Sequence, residues 1–218
     1  MFSEIEKAYD GQESIFDNIN TNDVIIAFFP CTRFESRIPL WFRGEAQQQK
    51  NWNVEQKLKY AMDLHCELHH FYLLISKLVL VAMKKGLKMV IENPYMQPHY
   101  LTTYWCVKPI VVDKDRTENG DYYKKPTQYF FIGFKPKMNL IFEPIDYVET
   151  KVIAKVKKED GISVKTQRSM IHPQYANRFI RRYLIDGEEE KEVTWQMSIF
   201  DLMKGKECED RSDRCRRT

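Results

Sequence analysis

Two short apolar runs, each broken by a proline, predict two buried strands. Residues 23–31 read Asp-Val-Ile-Ile-Ala-Phe-Phe-Pro-Cys, and six apolar residues without polar alternation are typical of a strand buried on both faces. Pro30 ends this strand because proline lacks the N–H that a strand ladder needs. Residues 87–94 repeat the design as Leu-Lys-Met-Val-Ile-Glu-Asn-Pro. Each run therefore places one reactive side chain, Cys31 or Glu92, at its carboxyl end.

The segment between these runs predicts a helix that connects them as parallel neighbours. From about residue 53 to residue 85, apolar residues recur at intervals of three and four, and Gly86 follows as a helix stop. A strand, a helix and a strand form the unit of a parallel sheet, which would bring Cys31 and Glu92 to one edge. Ligands and reactive groups gather at that edge in open α/β sheets, so Cys31 is placed as a nucleophile would be.

The patterns beyond residue 94 predict further strands and one more helix. Residues 109–113 and 127–134 are typical of two strands that form a hairpin at the edge of the sheet. Short strands are predicted between residues 139 and 166. Residues 173–185 have a proline in the first turn and apolar residues on one face, which predicts a helix.

Composition and length favour a single soluble domain. The chain has 218 residues, of which 43% are hydrophobic and 30% charged, and these values are ordinary for one globular domain. We predict an α/β domain over residues 1–203, with a small recognition insert at about 139–167, and a disordered charged tail over 204–218. No secretory signal is recognisable, and no apolar run approaches the roughly 20 residues of a membrane span. A cytoplasmic protein without membrane contact is therefore expected.

The net charge excludes few classes of binding partner, and the cysteine content indicates the redox state of the thiols. The net charge is +3, and basic residues cluster in ways that suit a polyanion such as DNA, although solvated surfaces look the same. The five cysteines are odd in number and irregularly spaced, which indicates reduced thiols rather than a disulfide framework.

Four short motifs, taken together, resemble those of the cytosine-5 DNA methyltransferases. The greatest similarity is to short, divergent methylase-like proteins of bacteriophages and mobile elements, and it covers about residues 20–185. Each motif is weak alone, but their order and spacing match the family. They are Pro30-Cys31, Glu92-Asn93-Pro94, Lys124-Lys125-Pro126-Thr127-Gln128, and Arg168-Ser169 before Pro173.

The resemblance implies a Rossmann-like methyltransferase sheet, mostly parallel with an antiparallel edge hairpin, and S-adenosylmethionine as the methyl donor. Cys31 would add as a thiolate to carbon 6 of a cytosine flipped out of DNA, and Glu92 would act as its acid partner. Pro30 would contact the cofactor. The implied DNA-contacting residues are Arg33, Lys124, Lys125 and Thr127.

The chain departs from the family before the first strand. Family members have a strand and a glycine-rich turn that bind S-adenosylmethionine there, but this chain has only Gly11 before Cys31. The residues before the strand are fewer than the roughly 30 that such a unit needs. Three explanations stay open: the chain starts late, a second polypeptide supplies the missing half, or methyl transfer has been abandoned.

Two functions are consistent with this sequence. The first is a DNA (cytosine-5) methyltransferase-like protein. The second is a catalytically inactive relic of such an enzyme that acts as a DNA-binding or regulatory protein. Whether the chain is an enzyme therefore stays open.

Two other motifs point to different chemistry and are weaker. Cys31 and Arg37 have the spacing of a phosphatase loop, but bulky Phe34 and acidic Glu35 oppose phosphate binding. A histidine-rich stretch could suggest zinc, but a second ligand cluster is absent, so we predict no metal site. Its residues are His65, Cys66, His69 and His70.

Overall fold

A computed structural model describes residues 2–35, 37–96, 99–152 and 163–186. The helices are α1 Phe2–Tyr9, α2 Ile38–Phe42, α3 Val54–Lys84, α4 Tyr100–Tyr104, α5 Val164–Ser169 and α6 Pro173–Tyr183. The strands are β1 Val24–Phe28, β2 Lys88–Pro94, β3 Val111–Asp113 and β4 Thr127–Ile132. Short 3-10 helices are Ile15–Asn18, Gln47–Gln49 and Arg116–Asn119.

The four strands form one open mixed sheet in the order β1-β2-β4-β3. Strands β1 and β2 are parallel, and their register runs from Val24 opposite Lys88 to Phe28 opposite Glu92. Strand β4 is antiparallel to both β2 and β3. The α/β class is confirmed, but the prediction of a mostly parallel sheet is wrong for the described strands. Strand β4 lies between β2 and β3. The predicted hairpin therefore contributes one inner strand, β4, and one edge strand, β3.

Helix α3 agrees with its prediction at both ends. Asn53 caps it by accepting from the Gln56 N–H, and Gln56 reciprocates, which completes a capping box. Gly86 follows with φ 63, the left-handed conformation that ends helices. By length and composition alone α3 could also cross a membrane. This is weak evidence, because core helices pass the same test, and α3 buries Leu74 and Ile75 completely against the sheet.

Strand β1 differs from its prediction, because it lies at an edge of the sheet and is not buried on both faces. Ile25 and Ala27 pack against the core with α1 and α3. On the opposite face Ile26 is 37% exposed and Phe28 is 62% exposed. An uninterrupted apolar run therefore indicated a strand correctly, but it carried no information about which of its faces would be covered.

Helix α6 covers the opposite face of the sheet with a second, smaller core. The His172 ring accepts from the Gln174 N–H and caps the helix, and Pro173 occupies its first turn. Phe179 packs on Tyr129 of β4, with ring centroids 4.4 Å apart. The helix prediction for residues 173–185 is confirmed apart from its last two positions.

Residues 139–166 do not show the short strands that their pattern predicts, within the part that the structure describes. Residues 139–150 carry no strand, and Lys151 forms an isolated bridge to Tyr123. Residues 164–169 are helical in α5, because Ser163 accepts from the Thr166 N–H and caps a helix there. Residues 153–162 and the predicted tail, 204–218, lie outside the described residues.

Candidate functional site

The turn after β1 carries Cys31, and Asn93 of β2 holds this turn against the neighbouring strand. The buried Asn93 side-chain amide donates a hydrogen bond to Phe29 O at 3.1 Å. Phe28, the last residue of β1, is in register with Glu92. Cys31 therefore lies just past the carboxyl end of β1, beside the end of β2.

The Cys31 thiol is half-buried among acidic and basic groups. It donates to Glu35 Oε1 with the sulfur 3.6 Å away. Burial is the largest cause that raises the pKa of the Cys31 thiol to about 11. The charges of Glu35 and Glu92 raise this pKa further, and the charge of Lys125 lowers it. Glu92 and Lys125 therefore lie within electrostatic range of Cys31, whose thiol is protonated at neutral pH.

The Glu92 side chain is buried between two cationic side chains. Its Oε1 lies 3.7 Å from Lys125 Nζ and 3.9 Å from Arg116 Nη1. These distances describe ion pairs rather than hydrogen bonds. Among the described residues Glu92 Oε1 has no hydrogen-bond partner, so it retains acceptor capacity that a ligand could use.

Arg116 connects Glu92 to a buried polar network beneath α6. It forms an ion pair with Asp121, and both side chains are 1% exposed. Its guanidinium lies 4.6 Å from the centroid of the Tyr175 ring. The Tyr175 hydroxyl donates to Asp113 Oδ2 at 3.1 Å. The position of Glu92 therefore depends on residues contributed by the β3–β4 connection and by α6.

The remaining predicted site residues lie in different surroundings. Lys125 faces Glu92, whereas Arg33 forms an ion pair with Glu67 of α3. Lys124 is exposed and forms an ion pair with Asp115 at 2.9 Å.

Thr127 and Pro30 differ in how accessible they are to a ligand. Thr127 is fully buried, and its hydroxyl donates to Lys125 O at 2.8 Å, so it supports the segment that carries Lys125. Pro30 is half-buried in the turn before Cys31. The structure thus brings Cys31, Glu92 and Lys125 together and leaves Arg33 and Lys124 in ion pairs elsewhere.

Comparison with known proteins adds no relative. No protein-family model, curated protein or solved structure matches this chain. The function must therefore be argued from the site itself.

The residues before β1 do not fit the S-adenosylmethionine site that the resemblance implies. They form α1 and one 3-10 helix, and the described residues before Val24 contain no strand. Gly11 has φ 77 next to the end of α1, so it terminates a helix instead of opening a phosphate- or ribose-binding turn. With β1 at the edge of the sheet, no described strand lies on its other side to complete such a site.

The geometry also bears on the two weaker motifs. Glu35 contacts the Cys31 thiol directly, and this carboxylate would repel a phosphate bound at a phosphatase loop. In the histidine-rich stretch, the His65 ring packs on Phe42 with centroids 4.1 Å apart. Within the described ranges no group of three or more possible metal ligands is present.

Three site residues, Glu35, Arg116 and Asp121, carry no local sequence signal for their roles. Arg116 and Asp121 lie in a charged turn between predicted strands, where charged residues are usually solvated. Glu35 was predicted only as an obstacle to phosphate binding. Only the folded arrangement shows that an arginine of this turn is buried next to Glu92.

The raised pKa of Cys31 gives a prediction for its reactivity. We expect the rate of iodoacetamide alkylation at Cys31 to rise about tenfold per pH unit between about pH 7 and pH 10, because the thiolate is the reactive form. Glu35→Gln should accelerate the reaction at about pH 8, because it removes a charge that raises this pKa. Mass spectrometry of the Cys31 peptide measures both effects.

Glu55→Gln is the matched control for this experiment. Glu55 lies at the start of α3 and pairs only with Lys59 among the contacts described for it, so its charge should not alter Cys31. A rate that is half-maximal near pH 8.5 and levels off above about pH 9.5 would show that Cys31 is an ordinary exposed thiol.

Proposed function

We propose that this chain is the nucleophile-bearing and base-binding part of a DNA (cytosine-5) methyltransferase-like protein with a Rossmann-like sheet. The observation that carries the proposal is the meeting of Cys31, Glu92 and Lys125 at the carboxyl ends of two adjacent parallel strands. This edge is where open α/β sheets bind their ligands. DNA is the proposed partner, and the cytoplasm is the proposed location.

Each of the three side chains has a role that its chemistry suits. The Cys31 thiolate forms a bond to carbon 6 of a flipped cytosine, while the electron pair of the ring's 5,6 double bond moves to carbon 5. Glu92 offers a carboxylate oxygen to the amino edge of the base. Lys125 lowers the pKa of the thiol and balances the charge of Glu92.

The proposal requires the site to rearrange when a base enters. Three cavities of the described part of the chain, which lie beside Tyr175, Lys85 and Phe42, are not lined by Cys31 or Glu92. A base that enters between them must displace the Glu35 carboxylate from the thiol, since this contact both raises the thiol pKa and occupies the sulfur. DNA binding is therefore proposed to activate the nucleophile as well as to deliver the base.

The methyl donor has to be held by residues outside those described. S-adenosylmethionine would supply the methyl group to carbon 5 when bound, but the segment before β1 does not fit it. We propose that a second polypeptide supplies this half.

Covalent trapping tests the role of Cys31 without the cofactor. The probe is a DNA duplex in which 2-pyrimidinone replaces one cytosine. Carbon 6 of this base is more electrophilic than carbon 6 of cytosine, so addition of the thiolate alone should trap the protein. We expect a complex that survives denaturing electrophoresis and has the intact mass of protein plus one strand. Cys31→Ser should abolish it.

Cys66→Ser is the matched control, because Cys66 is an exposed free cysteine on α3. This variant should trap DNA as well as the unchanged protein does. Trapping that persists in Cys31→Ser, or that is lost in Cys66→Ser, would refute the assignment of the nucleophile.

A second candidate function is a non-catalytic DNA-binding or regulatory protein derived from such an enzyme. The protonated state of the Cys31 thiol at neutral pH favours it. Gel-shift measurements with unmodified duplex distinguish the two: binding without any trapped complex supports the non-catalytic protein. Calorimetric titration with S-adenosylmethionine adds a second criterion, since stoichiometric binding would contradict it.

A further inference from the structure

A cavity of about 400 Å³ lies next to the candidate site and shares Glu35 with it. This volume is within the range of about 300–1,000 Å³ that is typical of small-molecule pockets. Glu35 lines the cavity and also accepts from the Cys31 thiol. Neither Cys31 nor Glu92 lines it, so the cavity is distinct from the position proposed for the reacting base. A ligand bound there would contact the carboxylate that holds the thiol.

Aromatic side chains from three helices form part of the cavity wall. Phe42 of α2 and His65 of α3 pack with ring centroids 4.1 Å apart. Tyr100 and Tyr104 of α4 pack with ring centroids 5.0 Å apart. Tyr104 is 69% exposed, so the cavity reaches the protein surface. Aromatic walls of this kind stack on flat aromatic ligands, including nucleobases.

His99 also lines the cavity, and it carries a buried N–H donor without a partner among the described residues. The Gln128 side-chain NH₂ donates to Pro94 O at 2.9 Å, and a carbonyl can only accept, so the orientation of this amide is fixed. The same NH₂ lies 3.4 Å from His99 Nδ1, which is therefore an acceptor. Burial lowers the pKa of His99 to about 4. The ring is then neutral at pH 7, and its single proton is on Nε2.

The polar groups of the cavity suit the Watson–Crick edge of guanine. That edge has two adjacent N–H donors, N1 and the 2-amino group, with the carbonyl oxygen O6 beside them. A carboxylate is acceptor-only and can accept both donors at once. The corresponding edges of adenine, cytosine and thymine each set an acceptor next to a donor, so an acceptor would face the second carboxylate oxygen. An N–H donor such as that of His99 complements O6.

We propose that this cavity binds a guanine base, with the Glu35 carboxylate accepting from N1 and the 2-amino group and His99 Nε2 donating to O6. The base lies among the aromatic rings of the wall. Its binding holds Glu35 in a two-point contact and withdraws this carboxylate from the Cys31 thiol, which becomes more reactive. The site recognises guanine whether or not Cys31 reacts with DNA, so it goes beyond the function proposed above.

Calorimetric titration of the full chain with guanosine and inosine tests the proposal. Inosine differs from guanosine only by the missing 2-amino group. We expect guanosine to bind at least about tenfold more tightly, because a hydrogen bond to a charged acceptor is lost with inosine. Glu35→Ala should bind both nucleosides with equal affinity. Glu55→Ala, which removes an exposed carboxylate outside the cavity, is the matched control and should keep the preference.

Variants of the wall test whether the bound nucleoside occupies this cavity. Tyr104→Ala should weaken guanosine binding at least about fivefold, because stacking is lost. Tyr147→Ala is the matched control, since Tyr147 is 92% exposed and does not line the cavity. Undetectable binding of guanosine, or equal affinity for guanosine and inosine in the unchanged protein, would overturn the proposal. Equal affinities of Tyr104→Ala and Tyr147→Ala would also overturn it.

The coupling to Cys31 has its own measurement. Saturating guanosine should accelerate iodoacetamide alkylation of Cys31 at about pH 8 at least about threefold, because the thiol loses a neighbouring negative charge. Glu35→Ala at the same occupancy should show no acceleration. An unchanged or slower reaction in the unchanged protein would overturn the coupling. These measurements use neither DNA nor covalent trapping, so their outcome is independent of the proposed function.

Competition with DNA identifies the source of the guanine. Displacement of guanosine by a duplex with one unpaired guanine, but not by the fully paired duplex, would assign the cavity to a base of DNA. Retention of guanosine in the presence of both duplexes would assign it to a free guanine nucleoside or nucleotide.

Discussion

Replacing Arg116 by methionine is expected to lower the free energy of unfolding by about 3–5 kcal/mol, the usual cost of breaking a buried ion pair. The Arg116 side chain is 1% exposed and lies between Asp121 and Glu92. Methionine fills a similar volume but leaves two buried carboxylates without their cation. Urea unfolding followed by circular dichroism measures the change.

Two further variants make the Arg116 prediction specific. Lys124→Met removes an exposed cation from the same connection between β3 and β4. This variant should leave the unfolding curve unchanged. Adding Asp121→Asn to Arg116→Met should recover part of the loss, because asparagine removes the charge and keeps the acceptor oxygen. Arg116→Met within about 1 kcal/mol of the unchanged protein would show that the buried pair does not stabilise the fold.

Acidification below about pH 6.5 is expected to destabilise the protein through His99. Burial lowers the pKa of His99 to about 4, whereas in the unfolded chain it is near 6.5. Between these values the unfolded chain binds a proton that the folded chain does not, so stability falls as the pH falls. The full effect is about 3 kcal/mol, reached near pH 4.

Comparison with His99→Asn isolates this effect from the titration of carboxylates. The free energy of unfolding should decrease more steeply between about pH 7 and pH 5 in the unchanged protein than in His99→Asn, by about 2 kcal/mol over that interval. His70→Asn, on the exposed side of α3, should retain the steeper dependence. Identical slopes in all three proteins would contradict a neutral buried His99.

The sequence predicted the β1–α3–β2 unit because each of its elements has a strong local signal. The apolar repeat and the Asn53 cap define α3, and the proline positions define the strand ends. The position of each strand within the sheet could not be predicted in the same way. Periodicity shows which side chains share a face, but pairing depends on contacts between distant segments, so β1 at an edge and β4 in the interior were missed.

The sequence pattern predicted Cys31 and Glu92 of the candidate site, and the family resemblance added Lys125. Cys31 and Glu92 each follow an apolar run, and parallel pairing of those runs brings them to one end of the sheet. The contribution of Arg116 depends on a turn folding back beneath α6, and no local pattern distinguishes a buried arginine from a solvated one. Their catalytic roles stay predictions, which the trapping experiment addresses.

The two carboxylate oxygens of Asp121 contact two different parts of the molecule. One accepts the N–H of His172 at 2.8 Å, at the start of α6, and the other binds Arg116. Detachment of α6 would therefore loosen the cation that lies against Glu92. Helix undocking and loss of the reactive geometry should form a single cooperative opening, with one shared opening free energy for the amides of α6 and those around Arg116.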